Sequence, residues 1–178
     1  MNQAAKTLLA RIKSDGKVAG EIITVDRFLN HMVDPQLIQL LAAEIASRFA
    51  NKAIDKILTA ETSGIMLAQA VAGILGVSFV YAKKKRPLTM GEHYAAASYS
   101  FTKQESTTLY VSKEVLCAQE RILFIDDFFA KGSTLKAIEE IVNQAHAMLV
   151  GAAVIINKSS RRDIEAILTL DEIAQATS

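Results

Sequence analysis

The chain has 178 residues, 51% of them hydrophobic and 22% charged, enough to bury one sizeable core, so a single domain over residues 1–178 is expected. Lys and Arg number 20 against 19 Asp and Glu, and a net charge of +1 speaks against a surface built to coat nucleic acid. One cysteine, Cys117, excludes an internal disulfide and a cysteine-rich metal site, and fits a reducing compartment.

The N-terminal stretch "MNQAAKTLLARIKSDGK" lacks the long apolar run of a secretion signal. No segment approaches about 18 uninterrupted apolar residues, so a soluble, cytoplasmic protein without membrane contact is expected. Apolar spacing predicts a short helix over 4–13, with Leu8, Leu9 and Ile12 on one face. A short strand is expected at Ile22–Val25. Asp34-Pro35 is a helix start, a cap residue followed by proline at the first helical position, and "QLIQLLAAEIASRFA" continues at helical spacing. Then "IDKILTA" (54–60) predicts a buried strand, "GIMLAQAVAGILG" (64–76) a helix closed by Gly76, and "VSFVYA" (77–82) a second strand. Strand, helix and strand in so short a span form a βαβ unit, which implies a parallel sheet covered by helices.

Between 83 and 104 the pattern breaks into "KKKRPLTMGEHYAAASYSFTKQ", basic and then small and polar, as in a functional excursion. Strands follow at 107–112, 121–126 and 149–157, with a helix at 133–145 and a helical tail in which no last strand is recognisable. Repeats and low-complexity linkers are absent from the sequence, which is expected to form one α/β domain.

The chemistry concentrates in "RILFIDDFFAKGST" (121–134). An apolar strand ends in two adjacent carboxylates, Asp126 and Asp127, followed by a small-residue turn that opens a helix. The free N–H groups of Gly132, Ser133 and Thr134 would face an anion together with the positive end of the helix dipole. Such a turn alone is an ordinary capped strand-to-helix junction. The two aspartates alter that balance, because bare carboxylates at the end of a buried strand need donors or a cation. Ribose hydroxyls and hydrated Mg²⁺ both suit them, and a diol beside a phosphate describes a sugar phosphate. In an open parallel sheet a ligand binds outside the carboxyl ends of the strands. The loops leaving such ends here are 61–64, 83 onward and 126–134. Neither a "GxxxxGK[ST]" nor a "GxGxxG" pattern occurs, which weakens the nucleotide-hydrolase and dinucleotide readings.

"FIDDFFAKGST" resembles the phosphoribosyl pyrophosphate (PRPP) motif of type I phosphoribosyltransferases. With "VDRFLNHMVDP" (25–35), "ETSGI" (61–65), "SYSFTKQ" (98–104) and "NKS" (157–159), the chain is similar over about residues 5–160 to the bacterial xanthine-using family of these enzymes. The resemblance implies an α/β fold with a central parallel sheet flanked by helices, a flexible lid at 83–104, and a small hood from 1–35 and 157–178. It implies purine contacts from Ile23, Asn30 and Lys158, and a 5′-phosphate site at Ala130, Lys131, Gly132, Ser133 and Thr134. It further implies a pyrophosphate loop at Thr62, Ser63 and Gly64, and lid lysines, Lys83 and Lys85, on the diphosphate.

Asp126 and Asp127 would hold the ribose and, through PRPP and water, Mg²⁺, with no metal bound by protein side chains alone. The substrates would be PRPP and a purine base, and the assembly a homodimer. The implied reaction is transfer of ribose 5-phosphate to N9 of xanthine, a step of purine salvage that gives xanthosine 5′-monophosphate and pyrophosphate. Positioning and charge neutralisation suffice for it, in keeping with the lack of a nucleophile constellation. His31, His93 and His146 have no metal-ligand spacing, and His93 alone falls in the expected lid. Asn157 and Ser160 depart from the family pattern of an acidic residue before the lysine and an aromatic after it. Two alternatives therefore stay open: the same reaction on guanine, hypoxanthine or adenine, or a non-catalytic PRPP-binding regulator.

Overall fold

The computed structural model describes residues 1–100 and 105–177. Helix α1 (Gln3–Asp15) opens on Asn2, whose side chain accepts the Ala5 N–H, and buries Ala4, Ala5, Leu8 and Ile12. A small antiparallel pair follows, β1 (Lys17–Ala19) and β2 (Ile22–Thr24), and then a π-helical turn, Asp26–Asn30. Helix α2 (Pro35–Phe49) starts as the sequence predicts, with the Asp34 carboxylate accepting the N–H groups of Gln36 and Leu37 at 3.1 Å each.

Next come β3 (Lys56–Ala60), α3 (Gly64–Leu75) and β4 (Ser78–Ala82). Gly76 ends α3 in the left-handed conformation that glycine adopts without strain (φ 69°). The hairpin β5 (His93–Ser100) and β6 (Glu105–Ser112) precedes β7 (Arg121–Phe129), α4 (Ser133–Gln144), β8 (Met148–Asn157), β9 (Glu165–Thr169) and α5 (Leu170–Thr177).

The central sheet has five parallel strands in the order β4-β3-β7-β8-β9. Its two faces follow the period-2 alternation of β7. Leu123 and Ile125 join the core under α1, α2 and α3, whereas Ile122 and Phe124 join the core under α4 and the hairpin. The chain winds outward from β3 to β4, then returns to place β7 on the other side of β3. The crevice between the carboxyl ends of β3 and β7 is therefore the switch point at which such sheets bind ligands.

Three expectations need correction. The break at 83–104 contains β5, an alanine-rich strand that carries little hydrophobic signal. Its pairing with β6 makes it a strand, and so does the Gln144 side chain, which donates to the Ala95 carbonyl at 2.8 Å and accepts the Ala95 N–H at 3.3 Å. Residues 101–104 of the expected lid lie outside the described residues. Strand β7 runs to Phe129 rather than ending at Asp126, because β8 pairs with it as far as Phe129↔Asn157. The tail is not helical throughout: "EAILT" is β9, the edge of the central sheet. Its helical spacing gives way to pairing with β8, burial of Ile167 and Leu168, and a 2.9 Å hydrogen bond from Arg48 to the Ala166 carbonyl.

Candidate active site

The strand-end loops of β3, β4 and β7, together with the inner face of the β5–β6 hairpin, enclose a cleft of about 460 Å³. From β3 and its loop come Ala60, Glu61 and Ser63; after β4 comes Lys84; from the hairpin come Ser98, Thr107 and Leu109; and from β7 and α4 come Asp126, Asp127, Phe128, Ser133 and Thr134. Below it a narrower cradle of about 140 Å³ is lined by Asp126, Phe128 and every residue from Phe129 to Leu135. The expected 5′-phosphate residues, Ala130, Lys131, Gly132, Ser133 and Thr134, thus gather around one concavity.

Local packing explains why two glycines stand here. A Cβ on Gly64 would lie 2.6 Å from the Asp126 Oδ1 and would also collide with the Thr59 hydroxyl, so the carboxylate can rest against the start of α3 only if that residue has no side chain. Gly132 has φ 76°, and a Cβ there would press on the Phe129 ring at 2.9 Å. Its carbonyl accepts the Lys136 N–H at 2.9 Å, so the turn passes directly into α4.

Both aspartates line the cleft, but Asp126 also faces the cradle, so their surroundings differ despite adjacency. The Asp127 N–H donates to Asp126 Oδ1 at 3.0 Å, and the Phe128 N–H donates to Asp127 Oδ1 at 2.9 Å. Burial, and next the charge of Asp127, push the Asp126 carboxyl well above its ordinary value, with Lys84 pulling the other way. Such a carboxylate is short of positive charge or donors. Among the described residues no cluster of His, Cys, Asp and Glu forms a metal cage.

Of the expected lysines, neither Lys83 nor Lys85 lines the cleft. Lys83 exchanges backbone hydrogen bonds with Tyr110, both 2.9 Å, and its Nζ lies 5.0 Å from the centroid of the Tyr81 ring; Lys85 is exposed. Lys84 stands in the cleft instead, and its N–H donates to the Glu61 carboxylate at 2.8 Å. In the 61–64 loop Ser63 lines the cleft while Thr62 is exposed, and the Glu61–Thr62 peptide is cis.

The expected purine contacts stand to one side. Lys158 donates from Nζ to the Glu21 carbonyl at 3.0 Å and lies 4.6 Å from the centroid of Phe128, a wall of the cleft. Burial lowers its pKa, against the raising pull of Asp127 and then Glu21. Glu21 leads into β2, which carries Ile23, 7% exposed and part of the core. Asn30 ends the π-helical turn, and its buried Oδ1 has no hydrogen-bond partner among the described residues. Neither Ile23 nor Asn30 lines the cleft itself. His93 accompanies Tyr110, with ring centroids 5.6 Å apart, and stays outside it.

The sequence reading missed Glu61, Lys84, Ser98, Thr107 and Phe128. Phe128 lies within the quoted motif, just past the expected strand end at Asp126, and no role is assigned to it there. Ser98 opens the quoted "SYSFTKQ" without a role assigned to it, and Thr107 carries no local signal, since it is the fold of the hairpin that brings both to the cleft.

An α/β sheet with paired acids and an anion-shaped turn at its switch point defines a sugar-phosphate-binding protein. The chain matches the phosphoribosyl transferase domain family over residues 24–171, and it belongs to that family. It is 46% identical over 153 residues to the xanthine phosphoribosyltransferase of Heliobacterium modesticaldum, covering 85% of this chain and 81% of that protein. It is 45% identical to the enzyme of the same name from Brevibacillus brevis, covering 86% and 80%. Among solved structures it is similar to an adenine phosphoribosyltransferase from Thermoanaerobacter pseudethanolicus, with TM-score 0.75, 18% identity and coverage of 91% of this chain and 99% of that one. That likeness speaks for the type I phosphoribosyltransferase fold.

Proposed function

We propose that this chain is a purine-salvage enzyme that transfers ribose 5-phosphate from PRPP to N9 of xanthine, giving xanthosine 5′-monophosphate and pyrophosphate. The observation that carries the reading is the Asp126–Asp127 pair between the glycine of one loop (Gly64) and the cradle of another (130–134). Two curated relatives that carry the xanthine name at 45–46% identity support the choice of base.

In this reading the N–H groups and hydroxyls of the 130–134 turn hold the 5′-phosphate, and the aspartates accept the ribose hydroxyls. The bond from C1 of the ribose to the diphosphate oxygen breaks with its electrons going to pyrophosphate, and N9 then bonds to C1 as its proton leaves to solvent. Ser63, Gly64 and Lys84 hold the departing diphosphate, with Thr62, Lys83 and Lys85 flanking it. Placement and fixed charge provide the acceleration. The all-oxygen donor set of the cleft fits Mg²⁺, held through water by Asp126 and Asp127; when bound, that ion neutralises the diphosphate.

Phe128 and Lys158 form the base wall, with Ile23 and Asn30 behind them. A cation at this edge suits xanthine, which has carbonyls at positions 2 and 6 and loses a proton near neutral pH. Residues 83–104, which include β5, act as the lid, residues 1–35 and the 157–178 tail supply the hood, and two copies pair in the cytoplasm. Among the described residues no helix is long and apolar enough to cross a membrane.

The test is a panel of xanthine, guanine, hypoxanthine and adenine with PRPP and Mg²⁺, comparing kcat/KM. Xanthine leads by about tenfold or more, the effect of one mismatched hydrogen bond in a buried pocket. If another purine leads, the base assignment falls; if none reacts, the activity itself is refuted.

A further inference from the structure

The turn that joins β8 to β9 is tied together by one side chain. Asn157, the last residue of β8, is polar yet only 2% exposed. Its Oδ1 accepts both the N–H (2.8 Å) and the hydroxyl (2.9 Å) of Ser159, and its Nδ2 donates to the Arg161 carbonyl at 2.8 Å. The Ser159 hydroxyl accepts the Arg161 N–H in turn, at 3.1 Å. Both ends of the buried amide are therefore engaged, and the chain from 157 to 161 is folded back on itself.

Lys158 sits inside this knot. Its own N–H is held by the Phe129 carbonyl at 2.7 Å, and its long side chain crosses the Phe128 ring to reach the Glu21 carbonyl. A lysine stem has many rotamers, and an untied strand end would let the ammonium swing into solvent. The Phe129 bond fixes only one side of the Lys158 backbone. Asn157 fixes the other, without touching the cleft itself.

We propose that Asn157 is a positioning residue for purine recognition, holding the 157–161 turn so that the Lys158 ammonium stays against Phe128 at the edge of the cleft. The inference rests on the reading of Lys158 as the group that meets a base carbonyl.

The test uses the full chain and the variants Asn157→Ala, Lys158→Ala and their double. Asn157→Ala raises the KM for xanthine about tenfold, the usual consequence of releasing one charge-bearing contact, and changes the KM for PRPP by less than about twofold. Adding Lys158→Ala to Asn157→Ala raises it much less than the product of the single effects, because both act through one ammonium. Val154→Ala, which removes core volume from the same strand, lowers Tm and leaves the KM for xanthine in place. Equal rises in both KM values, or fully independent effects in the double variant, overturn the proposal.

A second measurement does not depend on activity. Trypsin cuts the Lys158–Ser159 bond, as read by mass spectrometry, much faster in Asn157→Ala than in the parent chain; equal rates overturn the positioning role. If the parent chain turns over no purine, the functional reading fails by itself, and this rate comparison still decides whether Asn157 holds the turn.

Discussion

The two ends of strand β7 treat charge in opposite ways. At its start, Arg121 chelates the Asp55 carboxylate with Nε and Nη2, each at 3.0 Å, and donates its N–H to the same group at 2.8 Å. Alongside, Lys56 meets Glu120 at 2.6 Å. Towards its far end Asp126 and Asp127 stand side by side, with the charge of Lys84 acting on Asp126 and that of Asp127 acting on Lys158. The hydrogen bonds of Arg121 hold the Asp55 carboxyl down to about 2, while burial and a like charge drive Asp126 upward. Where the fold closes its own charges it gains a fastening; where it leaves them open they line the cleft.

The largest effect comes from erasing the open end. Asp126→Asn with Asp127→Asn keeps the shape and removes both charges; kcat/KM falls by more than about a hundredfold while the variant stays folded, with Tm unchanged or raised. Near-normal turnover in the double variant would contradict the contrast between the two ends. Next in size is Lys84→Ala, which raises the KM for PRPP by about tenfold, whereas Lys83→Ala and Lys85→Ala each change it less than about threefold, as steady-state kinetics will report.

Stability against pH separates the ends by sign. Asp126 is raised in the folded protein, so its penalty is absent below the ordinary carboxylate pKa of 3.8 and grows as pH rises through the higher folded value. Thermal melts without ligand should therefore lose this penalty on acidification, and Asp126→Asn should flatten that response. Asp55 behaves inversely: its contribution is complete above 3.8 and disappears as pH falls towards about 2. The smallest effect on catalysis belongs to Asp55→Asn, which lowers Tm modestly and leaves both KM values unchanged. A shifted KM would link the closed end to the site.

The same contrast explains what the sequence revealed. The β7 motif was legible because one short segment supplies strand, acids, turn and helix start, each with its own local signature. The cap of α2 at Asp34-Pro35 was legible for the same reason. Lys84 was not: in "KKKR" every residue offers the same charge, and only the paired backbone bonds of Lys83 with Tyr110 decide which side chain faces inward. Strand β5 was hidden because alanines announce nothing, and its stability comes from β6 and Gln144. Strand β9 carried a helical spacing that its sheet neighbour overrode. Residues close in sequence and distinct in type could be read, and roles assigned by distant neighbours could not.

Gln144 has a mechanical consequence. Helix α4, 12 residues long, begins at the 130–134 turn and ends at Gln144, whose side chain grips both backbone groups of Ala95 in the hairpin. A helix of that length is a strut about 18 Å long. Ser133 and Thr134 in its first turn line the floor of the cleft, and Gln144 at its last holds the hairpin that supplies the wall. A tilt at one end is carried by the strut to the other, so the floor and the wall are set by the same rigid part.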